Sequence, residues 1–114
     1  MLREVLYAKI HRATVTEANI DYIGSITLDP ILMEKSGLRD YDKVAVLDIN
    51  NGVRLETYVI PGERGTGVVC MNGAAARLIQ KGDLVIILSY WFVSENETIT
   101  PKIVHVDSKN QPIE

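Results

Sequence analysis

Val44-Ala45-Val46-Leu47-Asp48-Ile49-Asn50-Asn51-Gly52-Val53-Arg54-Leu55-Glu56-Thr57-Tyr58-Val59-Ile60 is the stretch that decides the fold class. Two runs rich in β-branched and aromatic residues flank Asn50-Asn51-Gly52. Such residues suit a pleated, half-buried surface. Asn-Gly is the preferred pair for a type I′ turn, where both central residues take positive φ. The stretch predicts a β-hairpin. On its N-terminal side, Asp29-Pro30 opens a short helix, with Asp29 as N-cap and Pro30 at the first helical position, and Gly37 closes it. Before that helix, Tyr22 to Leu28 reads as extended and Thr16 to Asp21 as a polar connection. Val5 to Val15 alternates, with Val5, Tyr7, Lys9 and His11 on one face and Leu6, Ala8 and Ile10 on the other. On the C-terminal side, Ala74 to Gln80 predicts a second short helix, with Asn72 near its start and Gly82 past its end. Leu84 to Val93 reads as a buried strand and Pro101 to Val106 as another, while the polar residues 107–114 read as frayed. Many short strands and two short helices predict a mainly β fold, a small barrel.

The 114 residues make one ordinary domain, 1–114. A composition 46% hydrophobic and 24% charged is that of a soluble globular chain. So short a chain encloses little volume, and a deep pocket is easier to build between subunits. The net charge of -3 argues against nucleic acid as the main partner, which needs a clustered positive field, but leaves room for a small anionic substrate. One cysteine, Cys70, makes no intrachain disulfide, so a reducing cytoplasm is expected. The charged first residues predict no signal peptide, and the Leu84–Val93 run is too short for a membrane helix.

The common chemical motifs are missing: there is no HExxH, no paired Cys-x-x-Cys, no GxGxxG and no P-loop, so no metal site is predicted. His11 and His105 are isolated in the sequence, and Cys70 reads as a small buried hydrophobe. Five segments matter when taken together. They are Lys9-Ile10-His11-Arg12, Tyr22-Ile23-Gly24-Ser25, Asn51-Gly52-Val53-Arg54-Leu55-Glu56-Thr57-Tyr58, Glu63-Arg64-Gly65 and Asn72-Gly73-Ala74-Ala75-Ala76. In this order and spacing they resemble the pyruvoyl-dependent aspartate 1-decarboxylase family, over roughly Leu2 to Leu88. Leu47 stands where many members carry an aromatic residue, and Thr66 where serine is expected.

The resemblance implies a six-stranded double-psi β-barrel with short helices. It implies a homotetramer with active sites between subunits, and a precursor that cuts itself between Gly24 and Ser25 into residues 1–24 and 25–114. Ser25 would become a covalent pyruvoyl group. The expected reaction is decarboxylation of L-aspartate to β-alanine, which supplies pantothenate and coenzyme A synthesis. The residue types suit that chemistry. Loss of carbon dioxide from an amino acid leaves a carbanion, which needs an electron sink, and no ordinary side chain is a ketone. A pyruvoyl ketone condenses with the substrate amine to a Schiff base and accepts those electrons. Gly24 leaves its carbonyl open to attack by Ser25. The oxyanion needs a donor, which the resemblance assigns to Thr57, with Asn72 assisting. Arg54 can grip a carboxylate through two parallel hydrogen bonds, and Lys9 is the candidate second cation. Tyr58 is the expected proton donor to the α-carbon, since a phenol is protonated at neutral pH. Gly73, Ala74 and Ala75 would let the chain approach the substrate closely, and Tyr22 and His11 are candidates to line the site.

One conflict is visible in the spacing. On a regular strand Arg54 and Tyr58 share a face and Thr57 points the other way. Either the strand is bulged or Thr57 serves a neighbouring subunit's site. Two other readings compete: a non-catalytic barrel of the same shape that binds a partner, and a pyruvoyl decarboxylase for another acidic amino acid. The first leaves Ser25, Arg54, Thr57, Tyr58 and Asn72 without a reason to occur together. The second stays open on physical grounds, because one methylene is worth only about 1–3 kcal/mol of discrimination.

Overall fold

The helix signals act as expected. The Asp29 carboxylate accepts the Ile31 N–H at 2.9 Å, Pro30 begins helix α1 (Pro30–Ser36), and Gly37 ends it with φ 81. The computed structural model describes residues 1–113. Among them α1 is joined by nine strands: β1 (Leu2–Thr14), β2 (Glu17–Asn19), β3 (Ser25–Leu28), β4 (Lys43–Asp48), β5 (Arg54–Pro61), β6 (Val69–Asn72), β7 (Leu84–Ser94), β8 (Lys102–Val106) and β9 (Pro112–Ile113). They form one sheet in the order β2-β6-β3-β5-β4-β7-β1-β8-β9. The fold is mainly β, as the residue pattern implies. The sheet has nine strands among the described residues and its ladder of pairs does not close, so a six-stranded barrel is not shown by the pairing.

Four local expectations need correction. The β4–β5 connection is not a two-residue type I′ turn. Five residues link the strands, and of these only Gly52 has positive φ, at 78. Asp48 causes the difference: its Oδ1 accepts the N–H groups of Asn50 and Asn51 at 2.8 and 3.2 Å, which winds the loop into a longer turn. The second helix is a 3-10 segment, Gly73–Arg77, shorter than its pattern suggested. The "polar connection" contains β2, and only Ser25–Leu28 of the expected 22–28 strand is paired. The tail is anchored as far as it is described. Asn110 is buried, accepts the Thr14 N–H, and donates to the carbonyls of Thr14 and Gly67, each at 2.8 Å.

The alternation in β1 is also broken twice. Its register with β7 shifts between Leu6 and Ala8 and again between Ile10 and Ala13, each time by one extra residue in β1. Tyr7, expected on one face with Val5, Lys9 and His11, packs against the core, with its ring 3.8 Å from that of Trp91. Ala8, Ile10, Ala13 and Val15 all face inward. There they meet Ile26, Leu28, Val44, Val46, Val59, Met71, Ile79 and Ile87, all at 0–1% exposure. Burying each of the larger ones contributes about 1.5–3 kcal/mol.

The Glu63-Arg64-Gly65 motif serves this frame. Arg64 forms a two-pronged ion pair with Glu34 of α1, at 2.7 and 3.0 Å. The N–H groups of Gly65 and Gly67 donate to the Asp29 carboxylate. Burial favours the neutral acid, but the Ile31, Gly67 and Gly65 N–H groups, with Arg64 nearby, outweigh it and hold the Asp29 carboxyl below the usual carboxylate range.

Candidate active site

Ser25 opens β3 and sits at 1% exposure with φ 149. That backbone angle is sparsely populated by residues with a Cβ and costs of order 1–3 kcal/mol. The strain therefore falls at the residue expected to attack Gly24. β3 pairs antiparallel with β6, where Ser25 stands opposite Asn72. The buried Asn72 carboxamide donates through Nδ2 to Ser25 Oγ at 2.9 Å and to Thr27 Oγ1 at 2.8 Å. Because that side chain is committed there, it makes no cap for the helical turn that follows.

The other neighbour of β3 is β5, in parallel, with Ile26 beside Val59. Carried back two residues, that register sets Gly24 alongside Thr57. A cavity of about 210 Å³ lies here, lined by Gly24, Ser25, Leu55, Thr57, Asn72, Ala74, Ala75 and others. Gly73 is buried with φ 63, and a Cβ on it would stand 2.9 Å from Gly24 Cα, Gly24 N and Tyr22 O. Only glycine lets the 3-10 turn press against the Gly24 segment this closely. Ser25, Gly24, Thr57, Asn72, Gly73, Ala74 and Ala75 are thus brought together.

Lys9, Arg54 and Tyr58 are not. Strands β4 and β5 pair residue for residue, from Lys43 opposite Tyr58 to Leu47 opposite Arg54, without a register shift. No bulge turns β5, so Thr57 lies on the face of Leu55 and Val59 while Arg54 and Tyr58 lie on the other. Opposite pairs extend that outer face across the sheet: Arg54, Leu47 and Ile86 form one row, and Glu56, Ala45, Leu88 and Lys9 the next. Lys9 stands three strands from β5, about 14 Å at strand spacing. Tyr58 points toward Tyr41, with ring centroids 6.0 Å apart. The residues expected to serve one site therefore fall in two places: a group around Ser25 on the inner face, and Arg54, Tyr58 and Lys9 spread over the outer face.

The two lining candidates also separate. Tyr22 is 51% exposed and borders a larger cavity of about 740 Å³ with Thr27, Cys70 and Asn72. His11 stands edge-on to His105, ring centroids 5.5 Å apart. Burial, then the charges of Lys9, His105 and Arg12, push its imidazole below the usual histidine value. Two residues near Ser25 were not singled out as site residues. Thr27 shares a face with Ser25 by the strand period of two, a signal that was available. Cys70 stands two residues before Asn72 and its Sγ lies 3.2 Å from Asn72 Oδ1, but the sequence reading expects no strand over residues 69–72, so the same period gives no signal there.

Comparisons with known proteins identify the family. The aspartate decarboxylase family model matches residues 1–113. An aspartate 1-decarboxylase of Caldicellulosiruptor saccharolyticus is 60% identical over 97% of this chain and 88% of that protein. One of Acetivibrio thermocellus is 56% identical over 99% and 91%, and one of Bacillus cereus 58% over 100% and 91%. Among solved structures, the computationally designed msDPBB_sym2 protein aligns with 76% of this chain and 99% of its own, at TM-score 0.47 and 21% identity. With a family model spanning all but the last residue and relatives this similar along their length, the chain belongs to the aspartate decarboxylase family.

Proposed function

We propose that the chain cuts itself between Gly24 and Ser25 and, once cut, decarboxylates L-aspartate to β-alanine and carbon dioxide. The observation that carries this reading is Ser25 itself. It is a buried serine with strained φ, its Oγ held by the Asn72 amide beside a small cavity and next to the glycine it would attack. In the first step Ser25 Oγ bonds to the Gly24 carbonyl carbon, the C–N bond breaks, and the hydroxyl proton passes to the Ser25 nitrogen. Thr57, in the same cavity, is the donor for the oxyanion on Gly24. Loss of the Ser25 α-proton then breaks the Cβ–O bond, leaving a Gly24 carboxylate and dehydroalanine. Water hydrolyses the latter to the pyruvoyl ketone and ammonia.

The pyruvoyl group would supply an electron sink for the substrate carbanion. Its position fits, since residue 25 borders a cavity flanked by the small side chains of Ala74 and Ala75. The remaining work falls to the outer face. Arg54 grips one substrate carboxylate, Lys9 supplies the second cation, and Tyr58 returns a proton to the α-carbon. These groups are turned away from their own Ser25, so a neighbouring subunit presents them to it. A homotetramer with closed symmetry and sites between subunits satisfies that requirement.

The barrel reading belongs here as well. Only Val15 and Thr16 separate β1 from β2, so one extended run occupies two distant places in the strand order. Thr16 N–H donates to Val69 O at 2.8 Å at the start of β6. This wrapping supports a six-stranded double-psi barrel of β6-β3-β5-β4-β7-β1 with β2, β8 and β9 as additions, a single domain over residues 1–114. The single unpaired Cys70 suits a reducing cytoplasm, and no helix among the described residues is long and apolar enough to cross a membrane.

Intact mass under denaturing conditions tests the reading. The purified protein should give two pieces, residues 1–24 and 25–114, the larger with a blocked, ketone-bearing start. Ser25→Ala should stay whole and inactive. A whole chain that turns over aspartate at full rate would overturn it.

A further inference from the structure

We propose that Cys70 is a positioning residue for chain cleavage: its thiol donates to Asn72 Oδ1 and so holds the carboxamide with both N–H bonds toward Ser25 and Thr27. The inference rests on the reading that Ser25 cuts the chain.

A carboxamide has nearly the same shape after its oxygen and nitrogen change places, so packing alone does not choose between the two orientations. Hydrogen bonding must choose. In the observed orientation every polar atom of Asn72 has a partner: Nδ2 donates to Ser25 Oγ at 2.9 Å and Thr27 Oγ1 at 2.8 Å, and Oδ1 lies 3.2 Å from Cys70 Sγ. In the exchanged orientation Oδ1 could still accept from the two hydroxyls. Nδ2 would then face the thiol, and sulfur is a weak acceptor. An N–H pair on a side chain at 3% exposure would lose good partners. Cys70 is the group that breaks the tie.

The choice matters for the reaction. As Ser25 Oγ gives up its proton, negative charge gathers on it. The N–H that Asn72 donates to Ser25 Oγ stabilises that charge, while its second N–H is held by Thr27 Oγ1; a carbonyl oxygen turned toward Ser25 would repel it. The thiol has other acceptors within reach, Met71 O at 3.9 Å and Glu17 Oε2 at 4.0 Å, but Asn72 Oδ1 is much the closest. Burial, and then the Glu17 carboxylate, push the Cys70 thiol up from its ordinary value, so it keeps its proton and remains a donor at neutral pH.

The test follows cleavage of freshly made full-length chain by intact mass over time, with melting temperature measured in parallel. Cys70→Ser keeps a hydrogen for Oδ1 and should cleave close to the parental rate. Cys70→Ala should fold but cleave about tenfold or more slowly, the size expected when a group that directs a donor at a reacting atom is lost. The same substitution in an Asn72→Ala background should slow cleavage hardly further, because Cys70 acts only through Asn72. Parental cleavage by Cys70→Ala, or equal slowing in both backgrounds, would overturn the proposal. Failure of the parent itself to cleave, or cleavage of Ser25→Ala, strikes instead at the reading on which it rests.

Discussion

At the scale of single residues, the proposed function assigns making the catalyst and using it to different faces of one strand. Thr57 lies beside Gly24 and Ser25, and Arg54 and Tyr58 point away from them. Thr57→Val should therefore leave an uncut chain, seen as one mass. Tyr58→Phe should cut normally, because its ring still fills its place. Its turnover should fall by roughly 10²–10⁴, the usual worth of a positioned acid. Borohydride with aspartate should still trap an adduct on its 25–114 fragment; a whole, unreactive chain would move Tyr58 into maturation. Arg54→Lys keeps the charge but loses the fork, and kcat/KM should drop by about 2–4 kcal/mol in fully cut enzyme. The opposition of Thr57 to Arg54 and Tyr58 was legible in the spacing, because strand period two is a property of the backbone. The part proposed for Cys70 was not, since the pattern did not mark residues 69–72 as a strand and the groups it would orient come from β3.

At the scale of elements, two buried carboxylates answer pH in opposite directions. Asp29, at the start of α1, has its acidity strengthened by backbone donors. Its contribution is present above the ordinary carboxylate value and is lost as pH falls through the depressed one. Asp29→Asn should cost about 1–3 kcal/mol at neutral pH, read by denaturant unfolding, with the difference narrowing in acid. Asp48, at the end of β4, is 2% exposed, and its Oδ2 lacks a partner. Burial, followed by the Asp83 carboxylate, pushes its carboxyl up. The stability it gives belongs to the protonated form, present at low pH and lost as pH rises through the raised value. Asp48→Asn keeps the Oδ1 acceptor for the Asn50 and Asn51 N–H groups. Its melting temperature should gain on the parent's as pH rises from the ordinary carboxylate value, with the gap levelling off once pH passes the raised one. Helix α1 was readable because its caps are local. The β4–β5 hairpin was readable as a hairpin, but its turn depends on the buried Asp48 side chain, and burial is not written in the local pattern.

At the scale of the molecule, the proposed assembly has subunits complete one another's sites, since Arg54, Tyr58 and Lys9 face away from their own Ser25. A mixture of Ser25→Ala chains and Arg54→Ala chains, each inactive alone, should recover activity when they assemble together, measured as β-alanine release against subunit ratio. No recovery in verified mixed assemblies would place both groups within one chain. The mainly β fold was legible from short strands and turns. The nine-strand order was not, because parallel neighbours such as β3 and β5 are separated by a helix and another strand. The bond between Gly24 and Ser25 has a further meaning in that order. The segment before it contributes β1, clamped between β7 and β8, and β2, laid on β6. Cutting the bond therefore releases nothing, because the short piece stays woven into the long one. On the proposed reading, the chain finds its shape as a single thread and then severs the thread. A cut molecule that is later denatured must reunite two separate pieces, a search that depends on concentration. Maturation by that route would make assembly a journey more easily taken in one direction, because only the uncut thread can fold without a meeting of two pieces.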